Sequence, residues 1–340
     1  MPTTDLSLQP LLADRSRALN AAPLRDGPIV YVMRTALRTA ENPALEGAAA
    51  IAADRGAPAA LIHVLAADEP FANDRRFRFA LEGVGEVAAG AAARGFGFGL
   101  HLAPAGTLDA ALAAIAAQAG AVVVEDHPLP FSRDPARRLA ETAGCPVLAV
   151  DASCVAPMRM VEDDAVDRAF KFRKATKALY KARVPLEMTP AGRPAAAADP
   201  TAFGVALADH AQPVDALLAG MAIDHAVGPT PHTRGGMAAA QARWAAFRDG
   251  AGLAAYAAKR NDALIDGVSR LSPYLRWGMI APFQVAREAQ AKGGAGAEKF
   301  LDELLIWREM AWAWASRTSD PDDYDAVVPD WAQESFARRG

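Results

Sequence analysis

The chain has 340 residues, of which 52% are hydrophobic and 22% charged, with a formal net charge of −4. That length exceeds one small domain and points to two. The acidic balance excludes a generally basic nucleic-acid binder, although a local basic face can still hold phosphate. Cys145 and Cys154 are the only cysteines, too few for a disulfide framework and without metal-ligand spacing around them. The start, MPTTDLSLQPLLADRSRALN, has no basic residues leading into an apolar core, so it does not read as a secretory leader. The least polar run, 110–124, is too short to span a bilayer. A cytoplasmic, reducing setting is expected.

Five short apolar runs come first: PIVYVM (28–33), PAALIHVL (58–65), FGFGLHL (96–102), AVVVED (121–126) and PVLAVD (146–151). Ala-rich segments of helical length lie between them, over 42–55, 73–94, 107–119 and 134–143. Strand–helix alternation with nearly unbroken apolar strands predicts a parallel sheet covered on both faces, wound by right-handed crossovers. The expected fold is therefore a doubly wound, Rossmann-like α/β domain with a five-stranded parallel sheet. Neither GxGxxG nor GxxxxGK[ST] follows any of these runs, which removes the main support for a dinucleotide or P-loop site.

Residues 165–183, AVDRAFKFRKATKALYKAR, carry seven Lys/Arg and one acid, Asp167. They read either as a solvated helix face or as a basic patch for phosphate. Residues 184–233, rich in Pro, Ala and Asp, read as an interdomain connector wrapped over the surface. From about Gly236 onward the pattern is helical, which predicts an all-α second part. All six tryptophans lie after residue 243.

Within the helical part, SRLSPYLRWG (269–278) places Ser272 before Pro273, the pattern of an N-cap followed by Pro at the first helical position. Free N–H groups and the helix dipole at such a start can hold an anion, and Ser269 adds a hydroxyl on the approach. In EKFLDELLIWREMAWAWA (298–315), Phe300, Leu304, Trp307, Ala311 and Trp314 are expected on one helical stripe. Glu303 lies four residues before Trp307 on a shared face, and Arg308 follows. A carboxylate beside an indole suits a pocket that stacks a flat ring and accepts hydrogen bonds from it; core packing alone is the plain reading of Trp312 and Trp314. Tyr256 and Arg260 share one face of the helix around YAAKRNDA, where an exposed helix with a snorkelling Arg is the plain alternative.

RNDALIDGVSRLSPYLRWGMIAP followed by KFLDELLIWREMAWAWA resembles the flavin-binding region of the photolyase/cryptochrome family, and in particular the class II cyclobutane pyrimidine dimer photolyases. GPIVYVMRTALRTAENPALE, FRFALEGVGEVAAGAAARG and DDAVDRAFKFRKATKALY resemble the α/β domain of that class, in the same order. The similarity runs over nearly the whole chain from about residue 16 and is most specific over 256–309. It implies an antenna-side α/β domain over 16–183, a connector over 184–233, and over 234–340 the first part of an all-helical FAD-binding domain.

The resemblance also implies FAD as cofactor and light-driven repair of pyrimidine dimers in UV-damaged DNA, the dimer being flipped into the pocket as photolyases do. Residue by residue, it implies that Tyr256, Val268, Ser269, Arg270, Leu271 and Ser272 hold the flavin phosphates. Glu303 and Trp307 face both the flavin and the dimer as the catalytic pair, Arg308 lines the cofactor side, and Arg260 and Trp307 reach DNA. An antenna chromophore, a deazaflavin or a folate, is possible within the family, and no charged constellation in the α/β part chooses between them. Val268 stands where many relatives carry a hydroxyl. The family pattern continues beyond the segment matched by 324–340, with an Asn beside the flavin ring and a tryptophan relay. The expectation is therefore an incomplete helical domain that binds FAD weakly or not at all. A cryptochrome-like photoreceptor uses the same cradle and is the alternative function; a non-catalytic remnant is the third.

Overall fold

A computed structural model describes residues 10–339 of the chain; residues 1–9, on which half of the leader expectation rests, and Gly340 lie outside the described residues. Six strands form one sheet: β1 (Ser16–Ala18), β2 (Ile29–Met33), β3 (Ala59–Ala66), β4 (Gly97–Ala103), β5 (Ala121–Glu125) and β6 (Val147–Val150), in the order β1-β6-β5-β2-β3-β4. The five expected runs are β2 to β6, and they pair in parallel. β2 and β3 are buried at every residue, which is why they read as continuous Val/Ile/Leu runs.

The expectation of five strands is corrected to six. β1 is a three-residue edge strand antiparallel to β6, with Ser16 opposite Val150. Its sequence, SRA, carries no apolar alternation. Side chains from outside hold it instead: the Arg15 guanidinium donates to the carbonyls of Asp151 (3.0 Å) and Cys154 (2.9 Å), and Arg159 donates to Ser16 O (3.2 Å).

Helices cover both faces. Pro43–Arg55 begins at an Asn42 cap whose side chain accepts from Ala44 and Leu45 N–H, with Pro43 at the first position. The expected helix over 73–94 is two helices, Asp74–Leu81 and Val84–Ala93. They part at Gly83, where the chain passes so close to the Gly236 backbone that a Cβ would lie 2.8 Å from its Cα. Leu108–Gln118 and Pro130–Thr142 complete the layers. Residues of the 184–233 segment bridge to the β4 side of the sheet through the backbone: Ala197 to Ala59 and Ala208 to Leu100.

No strand forms after β6 among the described residues, and the second part is helical. One apolar core runs from the sheet face of Tyr31 and Leu61 through Trp277 and Ile280 to Trp244 and Phe300, so sheet and helices share a continuous interior. A second core, with Val32, Ile62 and Ile115, fills the other sheet face. Both cysteines are buried and unpaired. No helix among the described residues is long and apolar enough to cross a membrane.

Candidate functional site

The SRLSPYLRWG segment is a loop followed by the short helix Ser272–Arg276. Ser272 is the first helical residue and Leu271 the cap, with no side-chain capping bond, so the expected Ser272 cap is replaced by a helix start resting on Pro273 and on the buried Leu271 side chain. Arg270 takes a left-handed φ of 56°, which turns the chain sharply between Ser269 and Leu271. Arg243, from the helix Met237–Asp249, clamps the loop: its guanidinium donates to Ser269 O (2.7 Å) and Val268 O (3.3 Å). Arg270 pairs with Asp266 at 2.8 Å and holds that carboxyl below its usual range. At the far end of the motif, Gly278 has φ 64° and lies against the α/β part, where a Cβ would meet Ala36 Cα and Thr35 O at 2.6 Å. Arg38 donates to Gly278 O (3.0 Å) and Leu37 N–H to Trp277 O (2.8 Å), so this loop is part of the domain junction.

The loop forms one wall of a cavity of about 1260 Å³. Tyr256, Val268, Ser269, Arg270 and Ser272 all line it; Leu271 is buried beneath. The opposite wall was not legible as part of a site. It is the helix Asp74–Leu81 of the α/β part, which contributes Arg75, Arg76 and Arg78, while Arg276 closes one end. Arg75 spends only its Nε, on Gly228 O (2.9 Å). The buried Nε of Arg78 and Nη1 of Arg276 have no hydrogen-bond partner among the described residues, while Nη2 of Arg78 pairs with Asp215. Arg276 lies 5.0 Å from each of the Phe131 and Trp277 rings, and burial followed by the charge of Arg76 lowers its pKa to about 10. A basic cavity with buried, unspent guanidinium nitrogens has the chemistry of a phosphate site, and its volume exceeds the usual range for drug-sized ligands, roughly 300–1000 Å³.

Tyr256, Arg260 and Glu303 come together beside this cavity. Glu303 pairs with Lys299 (2.7 Å) and Arg260 (3.4 Å), while burial and the Glu303 charge raise the Tyr256 phenol. Phe300 packs edge-on to Tyr256, with ring centres 5.4 Å apart. Arg260, Glu303, Trp307 and Arg308 do not line the cavity itself.

The expected stripe over 300–314 breaks at Trp307. Residues Asp302–Trp307 form a π-helical turn, in which Arg308 N–H bonds to Glu303 O five residues back. The wider turn steps the buried face from Phe300 and Leu304 to Glu309 and Ala313, leaving Trp307 47% exposed and Ala311 exposed. Arg308 consequently reaches the α/β part, donating to Ser153 O (2.8 Å) and covering Trp312 at 5.1 Å. Glu309 is drawn inside. It accepts from Val155 N–H (2.6 Å) and Ala156 N–H (3.1 Å) and lies 3.0 Å from the Tyr180 hydroxyl oxygen, and burial pushes its carboxyl up to about 7. Read as one more polar residue after Arg308, Glu309 carries no sequence signal of burial, because the signal lies in the π turn.

A second cavity, about 590 Å³, opens at the carboxyl ends of β2, β3 and β5, with Arg34, Glu69 and Phe131 in its wall. Strand order reverses between β2 and β5, the usual place for a ligand crevice in an open parallel sheet. Arg76 and Arg276 line both cavities. Glu69 is shared by Arg34 (2.7 Å) and Arg76 (3.1 Å), and Arg276 stands without a carboxylate partner among the described residues. No group of three or more His, Cys, Asp or Glu is placed to hold a metal among the described residues.

Residues 29–194 match the family model for DNA photolyase. The deoxyribodipyrimidine photo-lyase of Methanothermobacter thermautotrophicus is 27% identical over 330 residues, covering 95% of this chain and 69% of that protein. The photo-lyase of Thermus thermophilus is 43% identical over 60 residues, 14% of its length. In fold, a Synechocystis cryptochrome matches with a TM-score of 0.66 at 18% identity, over 88% of this chain and 62% of that one. A class III photolyase from Agrobacterium tumefaciens matches with a TM-score of 0.65 at 17% identity, over 93% and 66%. The chain thus spans roughly two thirds of the length of the Methanothermobacter, Synechocystis and Agrobacterium proteins.

Proposed function

We propose that the chain, whose residues 29–194 match the DNA photolyase family model, acts as a member of the photolyase/cryptochrome family, that its larger cavity holds FAD and that its function is light-dependent repair of cyclobutane pyrimidine dimers in DNA. The observation that carries the reading is the cavity between the cradle loop and the Asp74–Leu81 helix, basic on both walls and lined by two residues with buried, unspent guanidinium nitrogens. Those features fit the pyrophosphate of a dinucleotide. Reduced and bound, FAD supplies a light-absorbing one-electron donor.

Around it, each residue has a physical task. Arg243 fixes the loop through two carbonyls, so Ser269 and Ser272 meet a phosphate without reorganisation. Tyr256 offers its phenol to the same group. Arg75, Arg78 and Arg276 supply positive potential. Glu303, held by Lys299 and Arg260, presents carboxylate oxygens that accept hydrogen bonds from a flipped base, and the exposed Trp307 ring gives that base a stacking surface. Arg260 extends the positive edge towards a DNA strand. Arg308 acts indirectly in this reading, fixing the outer end of the π turn through Ser153 O. The domain boundaries 16–183, 184–233 and 234–340, the class II assignment and a cytoplasmic setting belong to the same proposal. The smaller cavity is proposed for an antenna chromophore; the Sulfolobus tokodaii photolyase, similar in fold at a TM-score of 0.56, has been solved with two FAD molecules.

Titration of the 340-residue chain with FAD, ADP and riboflavin tests the site. FAD and ADP are expected to compete and riboflavin to bind far more weakly, because the phosphates are the anchored part. Equal binding of riboflavin overturns the assignment. Blue-light recovery of dimer-containing DNA then separates repair from photoreception: flavin binding without recovery favours the cryptochrome reading.

A further inference from the structure

We propose that the outward ridge of the helix Ala169–Arg183, formed by Lys174, Lys177 and Lys181, is a docking track for the sugar-phosphate backbone of duplex DNA. This rests on the reading of the chain as a DNA-acting protein, and adds to it a surface outside the cavity and outside the Glu303/Trp307 face.

The helix has seven basic residues over 168–183, and the structure divides them sharply. Arg168 and Lys171 pair with Asp167, Arg173 pairs with Asp302 at 2.6 Å, and Arg183 pairs with Asp14. Lys174, Lys177 and Lys181 are exposed and form no ion pair among the described residues. Phe172, Thr176, Tyr180 and Arg183 make the buried face, so the three lysines fall on the opposite flank at i, i+3 and i+7, one ridge of an α-helix. Seven residues rise about 10 Å, which matches the axial run of about three base-pair steps at 3.4 Å each.

The position of the ridge is equally specific. Tyr180 OH donates to Leu305 O (2.5 Å), so the helix lies along the π turn that carries Glu303 and Trp307. Arg173, four residues before Lys177 and on its side of the helix, reaches Asp302 next to Glu303. The carboxylates at this edge are already shared. Asp302 is held by Arg173 and Lys299, and Glu303 by Lys299 and Arg260. With Arg260 engaged by Glu303 and Arg173 by Asp302, the cations of this helix with no carboxylate partner among the described residues are Lys174, Lys177 and Lys181, in a chain whose net charge is −4. An anionic membrane would use the same cations but needs apolar groups to insert. Of the aromatic residues of this helix only Phe170 is exposed, at 61%, while Phe172 and Tyr180 are committed to the core. The charge without an apolar face favours a polyphosphate backbone.

The test uses the 340-residue chain and the triple variant Lys174→Gln/Lys177→Gln/Lys181→Gln, with circular dichroism to establish equal folding. Binding to undamaged and to dimer-containing 30-bp duplexes is followed by anisotropy across a range of KCl. The slope of log K against log salt is expected to fall by about 2–3 in the triple variant, since each lost phosphate contact removes about 0.9. Affinity should drop equally for both duplexes while the preference for the dimer is retained. An unchanged slope overturns the track. A wild-type chain that binds neither duplex overturns it too, as does binding of phosphatidylserine vesicles, but not DNA, through these lysines. Loss of dimer preference in the wild type with the slope change intact sinks the repair reading and leaves the track standing.

Discussion

The carboxyl end of the central strand and the wall of the large cavity both concentrate polar groups, and they treat them in opposite ways. At the end of β2, Glu125 accepts from Tyr31 OH (2.8 Å) and from the N–H groups of Arg34, Thr35 and Ala36, so a buried carboxylate and four donors close on one another. At the cavity, Arg270 and Ser272 are exposed, and buried guanidinium nitrogens of Arg78 and Arg276 stay unspent. Buried polar groups that satisfy one another serve the fold; those that face a cavity unsatisfied are suited to contact with something polar from outside it.

Substitution is the strongest way to break this contrast. Glu125→Ala leaves several buried donors without an acceptor and is expected to cost about 3–5 kcal/mol in urea unfolding. Ser269→Ala combined with Ser272→Ala should leave unfolding within about 0.5 kcal/mol of wild type while weakening FAD binding about tenfold. Equal stability losses at the two places would erase the distinction.

A pH experiment sharpens it, because a buried histidine of the sheet and a buried carboxyl of the junction are shifted with opposite sign. Burial lowers His63, in β3, to about 4. Its folded pKa is below the unfolded value of 6.5, so the stability it permits above pH 6.5 is lost as pH falls towards 4. Burial raises Glu309, at the junction, from 4.5 to about 7. Its contribution is present below pH 4.5 and lost as pH rises through 7. Each shift corresponds to about 3 kcal/mol, and across pH 4.5–6.5 the two largely cancel. Relative to wild type, Glu309→Gln is expected to make stability climb more steeply with pH over 4.5–7, and His63→Gln to make it climb less steeply over 4–6.5. Thermal unfolding at half-unit pH steps checks both, and two variants with parallel profiles would refute the opposition.

A small effect on stability is also expected at Trp307. Half exposed at the π turn, its replacement by Ala should shift unfolding by less than about 1 kcal/mol while removing most of the preference for dimer-containing DNA. A large stability loss would make Trp307 a core residue instead.

These contrasts follow what the residues revealed before any coordinates. β2 to β6 were legible because strands buried on both faces must be apolar throughout, whereas β1 was not, because it is held by Arg15 bonding to carbonyls about 140 residues away and by the equally remote Arg159. The cradle loop was legible because its hydroxyls and Pro273 are contiguous. Its clamp, Arg243, lies 25 residues before Val268, and the facing arginines lie on the helix Asp74–Leu81 of the other domain, so no local pattern joins them. Periodicity failed over 300–314 for a related reason: a stripe drawn at 3.6 residues per turn has no means of showing one wide turn.

That wide turn has a further consequence. It works as a phase shifter on a continuous rod. Before it, the helix is indexed to Tyr256 and Trp244 through Phe300; after it, to Tyr180 and the loop at 155–156 through Glu309. Removing one residue from 302–307 would bring the two halves into a single register, and only one of the two neighbours could then be served.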